Sequence, residues 1–141
     1  MEETIFQKII NKEIPAEIVY EDESILAFLD INPINPGATL VIPKKQSRNV
    51  LNIDKESWGN VTEVVRMIAP AVKAAANADG INIMVNNEEA AGQMVFHTHV
   101  HVIPRHKNDD VPEWHGKSCS EEDLKKMAKR IREAMTDEDE I

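Results

Sequence analysis

Three of the chain's five histidines stand at alternate positions, His97, His99 and His101, with Thr98 and Val100 between them and Val102 and Ile103 behind. In an extended strand successive side chains point to opposite faces. This spacing therefore puts three imidazoles on one face, about 6.5–7 Å apart, and leaves Thr98, Val100 and Val102 for a core. Adjacent titratable rings repel when charged and need partners when buried, so the row is a poor way to stabilise a strand. Two chemistries suit it. One is metal ligation, in which His-x-His gives two nitrogens to zinc and His106, His115 or a carboxylate completes the set, none of them at a telling spacing. The other is nucleophilic or acid–base chemistry at phosphorus. Neutral imidazole is a competent nucleophile near neutral pH, a second imidazole binds or protonates phosphoryl oxygens, and a third fixes the nucleophile's tautomer. Spacing alone does not choose between them.

The residues ahead of the row favour phosphate. Gly92 and Gln93 end a loop that starts at Asn86. Glycine lets a backbone N–H approach an anion closely, and Asn86 and Gln93 add neutral polar groups. The glycine fingerprints of phosphate loops and dinucleotide folds are absent. Lys44, Lys45 and His106 read as solvated side chains.

These residues need a scaffold, and its elements are legible as periodicities. Ile5 to Lys12 is amphipathic at helical spacing, and Pro15 stops it. Glu17–Tyr20, Ile25–Asp30 and Thr39–Ile42 read as short strands, with a Pro- and Asn-rich loop from Ile31 to Gly37. A long helix is expected from about Asp54 to Asp79, kinked at Pro70, with Gly80 just past its end. Ile81–Asn86 and Val95–Ile103 alternate as strands, with Ile81, Ile83 and Val85 on one face. Ser120 to Met135 is a second amphipathic helix, with Ser120 and Asp123 as a capping-box-like start, and the acidic tail 136–141 is expected to fray. The pattern predicts one α+β domain over residues 1–141, with an antiparallel five-stranded sheet, one long helix and a C-terminal helix.

Composition narrows the class. The chain has 141 residues, one cysteine and a net charge of −9. A lone Cys119 forbids an internal disulfide and any thiolate cluster. The acidic balance argues against nucleic acid or an anionic membrane as partner. No apolar run approaches the roughly 20 residues of a membrane span, and the acidic start Met1-Glu2-Glu3-Thr4 is unlike a secretory leader, so a cytoplasmic location is expected.

Gly92-Gln93 followed by Phe96-His97-Thr98-His99-Val100-His101-Val102-Ile103 resembles the histidine triad motif of the HIT superfamily. Thr4 to Ile10, Ile14-Pro15-Ala16, Ala27-Phe28-Leu29-Asp30-Ile31 and Leu40-Val41-Ile42-Pro43-Lys44 resemble further segments of the family in its order, closest to the Hint-like nucleoside phosphoramidases and their bacterial relatives. The resemblance implies an α+β fold and a homodimer built around the long helix and a continuous sheet. It implies cleavage at the α-phosphate of AMP- or GMP-linked substrates through a nucleotidyl-histidine, with no cofactor and no catalytic metal. By that resemblance His99 is the nucleophile, His101 contacts the phosphate, and His97 orients His99. Asp30 takes the ribose hydroxyls, and Ile5, Phe6, Ile9, Phe28 and Ile31 sandwich the purine. Asn86, Gly92, Gln93 and Met94 line the phosphate and leaving-group side.

Three places depart from the family pattern. Ala38 stands where many members carry a histidine, and Met94 where many carry Ser or Thr. Thr4, Gln7 and Gln46 stand where some bacterial members hold a structural zinc, so no zinc is expected. Trp114-His115 resembles a C-terminal tryptophan region that some relatives use across the dimer. Two rival readings remain beside the enzyme: a purine-nucleotide-binding module slowed by Ala38 and Met94, and a metalloenzyme built on His97 and His99. The physiological substrate and leaving group are not legible.

Overall fold

A computed structural model describes residues 2–110 and 116–135. The tail 136–141 and the pair Trp114 and His115 lie outside the described residues. Five strands form one sheet: β1 (Ile18–Glu21), β2 (Ile25–Leu29), β3 (Thr39–Pro43), β4 (Gly80–Met84) and β5 (Val100–Arg105). Their spatial order is β1-β2-β3-β5-β4, and every neighbouring pair is antiparallel. The expected α+β fold with a five-stranded antiparallel sheet is the one observed. Among the described residues no helix is long and apolar enough to cross a membrane.

The sheet is buried on both faces, and strand alternation sorts its residues between two cores. Ile25, Ala27, Leu29, Val41, Val100 and Val102 pack under the long helix α2 (Lys55–Ala75) and the C-terminal helix α3 (Glu121–Met135). Leu26, Phe28, Leu40 and Ile42 face the other way, against Phe6 and Ile9 of the short helix α1 (Ile5–Ile10). Each helix start is capped: Thr4 accepts from the Gln7 amide at 3.2 Å, Asp54 from Ser57 at 3.0 Å, and Ser120 from Asp123 at 3.1 Å.

Four expectations are corrected. First, α1 closes at Ile10 rather than Lys12, because Lys12 turns to φ 64°. Second, the end of α2 is sealed by Asn77 (φ 52°), not by Gly80. The Asn77 amide bonds Ala74 O and the Ala78 amide bonds Lys73 O, the paired bonds of a Schellman motif, in which asparagine tolerates the left-handed position. Gly80 instead opens β4, which stops at Met84 rather than Asn86, and Ile83 on it is half exposed. Pro70 lies inside α2, which runs on to Ala75. Third, β5 begins at Val100 rather than Val95. The backbone ahead of it bonds a loop instead of a strand, since the Thr98 amide donates to Ser47 O at 2.8 Å. Fourth, His97 and His99 therefore precede the strand and only His101 lies in it.

Ile68 is fully buried midway along α2. Ile68→Ala leaves a cavity under the sheet and is expected to lower unfolding free energy by about 2–5 kcal/mol. Urea denaturation checks this, and an unchanged midpoint refutes the packing described.

Candidate active site

The face that carries α1 also carries the histidines. Phe28 pairs with Leu40, and Leu40 with His101, so one row crosses three strands from an aromatic ring to an imidazole. Phe6 of α1 meets this row edge-on: its ring lies 5.6 Å from Phe28, 5.0 Å from His99 and 6.0 Å from His97. The His99 and His101 rings are 4.9 Å apart. The three imidazoles thus remain neighbours although two of them lie outside the strand.

Hydrogen bonds assign the ring nitrogens. His99 Nδ1 lies 2.7 Å from the His97 carbonyl. A carbonyl only accepts, so Nδ1 carries the proton and Nε2 keeps its lone pair. His97 Nε2 lies 2.7 Å from Pro43 O and donates by the same logic, which leaves His97 Nδ1 buried with no partner among the described residues. His97 and His99 are buried and His101 is half-buried. Burial lowers the pKa of all three below the usual 6.5. For His99 the bond to the His97 carbonyl and the charge of Asp30 work against that, while His101, which also feels His99, is pushed down to about 4. The row is therefore neutral at pH 7, and His99 presents an unprotonated Nε2.

The other expected residues fall into three groups. Phe6, Ile9 and Phe28 form one buried apolar wall, whereas Ile31 is mostly exposed on the loop beyond β2. Asp30 opens that loop: one carboxylate oxygen accepts from the Asn32 amide at 2.9 Å, and its charge reaches His99. Ile5 and Met94 lie in a cleft of about 560 Å³ together with Val95, Phe96 and Arg48. Met94 is 88% exposed and its side chain covers nothing.

Gly92 takes a left-handed conformation, φ 93°, at the end of a 3-10 turn over Glu89–Ala91, and a side chain there would meet Asn86 at 3.5 Å. Gln93 is buried, and its amide is fully engaged inside the chain. It donates to Arg48 O and Val95 O, and it accepts from the Glu88 amide and from Asn49. Gln93 thus holds the loop rather than offering a free donor.

Several contributors carry no motif signal. Pro43 O orients His97. Ser47 fixes Thr98 through a 2.7 Å hydroxyl pair and a backbone bond. Arg48 stacks on Phe96 at 4.3 Å and grips Glu88. Only the polar character of residues 44–49 hinted that this linker has work beyond connection. His106 donates its amide to Asp109, which pairs with Arg105. Among the described residues no three His, Cys, Asp or Glu side chains converge as a metal site.

The HIT domain profile matches residues 11–108, which span every strand and the histidine row. The chain belongs to the HIT domain family. A HIT-like protein of Borreliella burgdorferi is 52% identical over 111 residues, covering 77% of this chain and 80% of that one. The crystal structure of a Hit-like protein from Bartonella henselae superposes with a TM-score of 0.87 at 47% identity, covering 93% of this chain and 95% of the other. An adenylylsulfatase of Arabidopsis thaliana, HINT3, is 37% identical over 86% of this chain, which spans 60% of that longer protein. The likeness to it and to the HIT-like proteins places this HIT protein on the Hint-like branch.

Burial of neutral histidines has a consequence for stability. In the unfolded chain each titrates near 6.5, and in the fold each titrates lower, so below 6.5 the unfolded state binds more protons. The stabilisation is complete above pH 6.5 and is lost as pH falls toward the folded values, the lowest being about 4 at His101. Unfolding free energy is expected to fall between pH 6.5 and 5.0, by up to about 1.4 kcal/mol per pH unit for each histidine. His101→Gln should flatten the slope. An unchanged slope in urea titrations of the variant refutes the assignment.

Proposed function

We propose that this HIT protein cleaves at the α-phosphate of AMP- or GMP-linked substrates by way of a covalent nucleotidyl-histidine on His99. The observation that carries the reading is the tautomer: a carbonyl holds the His99 proton on Nδ1, so a neutral ring aims its Nε2 lone pair out of a buried row. The adenylylsulfatase relative, itself an enzyme acting on an adenylyl group, supports the same class of reaction.

In the proposed sequence His99 Nε2 forms a bond to the α-phosphorus while the bond to the leaving group breaks. The ring then carries positive charge. The His97 carbonyl and the Asp30 carboxylate stabilise that charge, the same two groups that oppose burial in setting the pKa of His99. His101, 4.9 Å away, faces the phosphoryl oxygens. The negative phosphate raises the pKa of His101 from its low free-protein value, so that it takes a proton and hands it to the departing amine or phosphate. Water then attacks phosphorus while neutral His101 takes its proton, the N–P bond breaks with its electron pair returning to His99 Nε2, and the mononucleotide leaves. Ile5, Phe6, Ile9, Phe28 and Ile31 take the purine, Ile5 and Ile31 offering the exposed surface, and Asp30 takes the ribose hydroxyls.

The competing reading is a nucleotide-binding module. Its support is that Met94 puts an exposed thioether, which donates no hydrogen bond, beside the loop. We also propose a homodimer. The outer edge of β4 is unpaired in the sheet order and half-exposes Ile83, which suits continuation of the sheet into a second copy. Sedimentation at twice the chain mass supports it, and a monomer at high concentration refutes it.

AMP release from an adenosine phosphoramidate and from diadenosine tetraphosphate, with chelator present, tests the main reading. His99→Ala is expected to lower kcat by about 10³-fold or more. In the complex His99 must be neutral and His101 protonated, so kcat should trace a bell in pH, with protonation of His99 setting the acid limb and loss of the His101 proton the alkaline limb. Parent protein that binds AMP without turnover favours the binding module, and activity that chelator abolishes refutes both.

A further inference from the structure

We propose that Glu88 is a positioning residue for the reaction proposed above, on which this inference rests: its ion pair with Arg48 holds a backbone conformation natural only to glycine, and that conformation sets the Gly92–Phe96 stretch against the histidines.

Glu88 sits at φ 77°, ψ 159°. That region is essentially restricted to glycine and persists in other residues only where the surroundings over-determine it. The surroundings do so here. The Glu88 carboxylate accepts from Arg48 Nε at 2.9 Å, Arg48 Nη2 at 2.8 Å and Asn49 Nδ2 at 2.6 Å. The Glu88 amide donates to Gln93 Oε1 at 2.8 Å, and its carbonyl accepts from the Ala91 and Gln93 amides at 3.0 and 3.1 Å. These contacts hold the carboxyl at a pKa of about 2, so it stays ionised throughout the working range.

Arg48 makes the arrangement a clamp. Its guanidinium grips Glu88 at the start of the segment, its carbonyl accepts from Gln93 Nε2 at 2.7 Å in the middle, and the guanidinium lies 4.3 Å over the Phe96 ring at the end. The next residue is His97, whose carbonyl fixes the His99 tautomer. Both partners of the pair are nearly half exposed (side chains 48% and 42%). An ion pair so exposed contributes little to stability, whereas two parallel N–H···O bonds define direction. The pair therefore acts through geometry: without it a glutamate at this position relaxes, and the loop leading to His97 moves.

A double-mutant cycle on the full chain, with adenosine phosphoramidate as substrate, separates geometry from stability. Small misplacements of reacting groups have large rate effects, so Arg48→Ala is expected to lower kcat about tenfold with KM within about twofold. Glu88→Ala should behave alike. Glu88→Gly takes the conformation unaided and should stay within about threefold of the parent, and adding Arg48→Ala to it should cost clearly less than it does in the parent, since only the Phe96 contact is then left to lose. Urea midpoints of the parent and every variant accompany the rates, and a structural role alone would move the midpoints and leave kcat in place. Equal losses from Arg48→Ala in the parent and in the Glu88→Gly background overturn the proposal, as does no loss in either. If the parent binds AMP without turning over, the AMP dissociation constant is read through the same cycle with the same expectations. If the parent neither binds AMP nor turns over, the nucleotidyl-transfer reading fails and this one falls with it.

Discussion

His99 donates from Nδ1 to the His97 carbonyl at 2.7 Å, and this bond decides which ring nitrogen keeps its lone pair. A backbone carbonyl cannot reverse its role, so the tautomer does not fluctuate with the protonation of a neighbour. The side chain of His97 is occupied elsewhere, with Pro43 O. The expectation that His97 orients His99 thus has a structural counterpart in its main chain, two residues away, and not in its imidazole. β5 starts at Val100, past this pair, and the Thr98 amide between the two histidines donates to Ser47 O instead of to a neighbouring strand.

Holding that irregular stretch is the work of the last residue of β3 and the linker after it. Pro43 takes the His97 ring, Ser47 takes Thr98, and Arg48 with Asn49 takes Glu88 and Gln93. These bonds join residues 39 to 54 positions apart in the chain. The linker holds no regular structure of its own, yet Ser47 and Asn49 are buried. Buried polar side chains in a loop need partners, and here the partners lie in the segment that leads into the histidine row. The neutral state of the histidines follows from the same enclosure. A row exposed to water would titrate near 6.5 and repel itself at mildly acidic pH.

The frame is legible in the sequence because period-2 and helical patterns report burial directly. Ile25, Ala27 and Leu29 alternate with Leu26 and Phe28, and the two sets pack under different helices as the pleat requires. The same rule misleads at the most important strand. His97-Thr98-His99-Val100-His101 alternates well enough to read as strand throughout, but alternation records which side a residue faces and not which partner its backbone bonds. Alternation assigns Thr98 to an apolar core, and in the fold a serine hydroxyl holds it. At the end of α2 the pattern points to glycine and asparagine serves, because both accept the left-handed turn and only the hydrogen bonds distinguish them. The linker is unreadable for a different reason: Ser47, Arg48 and Asn49 act through pairwise distances that one-dimensional spacing does not contain.

Two of the three departures from the family pattern, Ala38 and Met94, act at different depths. Ala38 is buried, and its backbone closes the sheet, donating to Asn35 O and accepting from Asp30. Met94 is at the surface and removes only a hydroxyl donor. In the proposed reaction, with neither a histidine at 38 nor a hydroxyl at 94, proton delivery to a leaving group would fall to His101, which burial keeps neutral in the free protein. A phosphoryl anion seated beside that ring would charge it, so under the proposal leaving groups that depart without a proton would gain least.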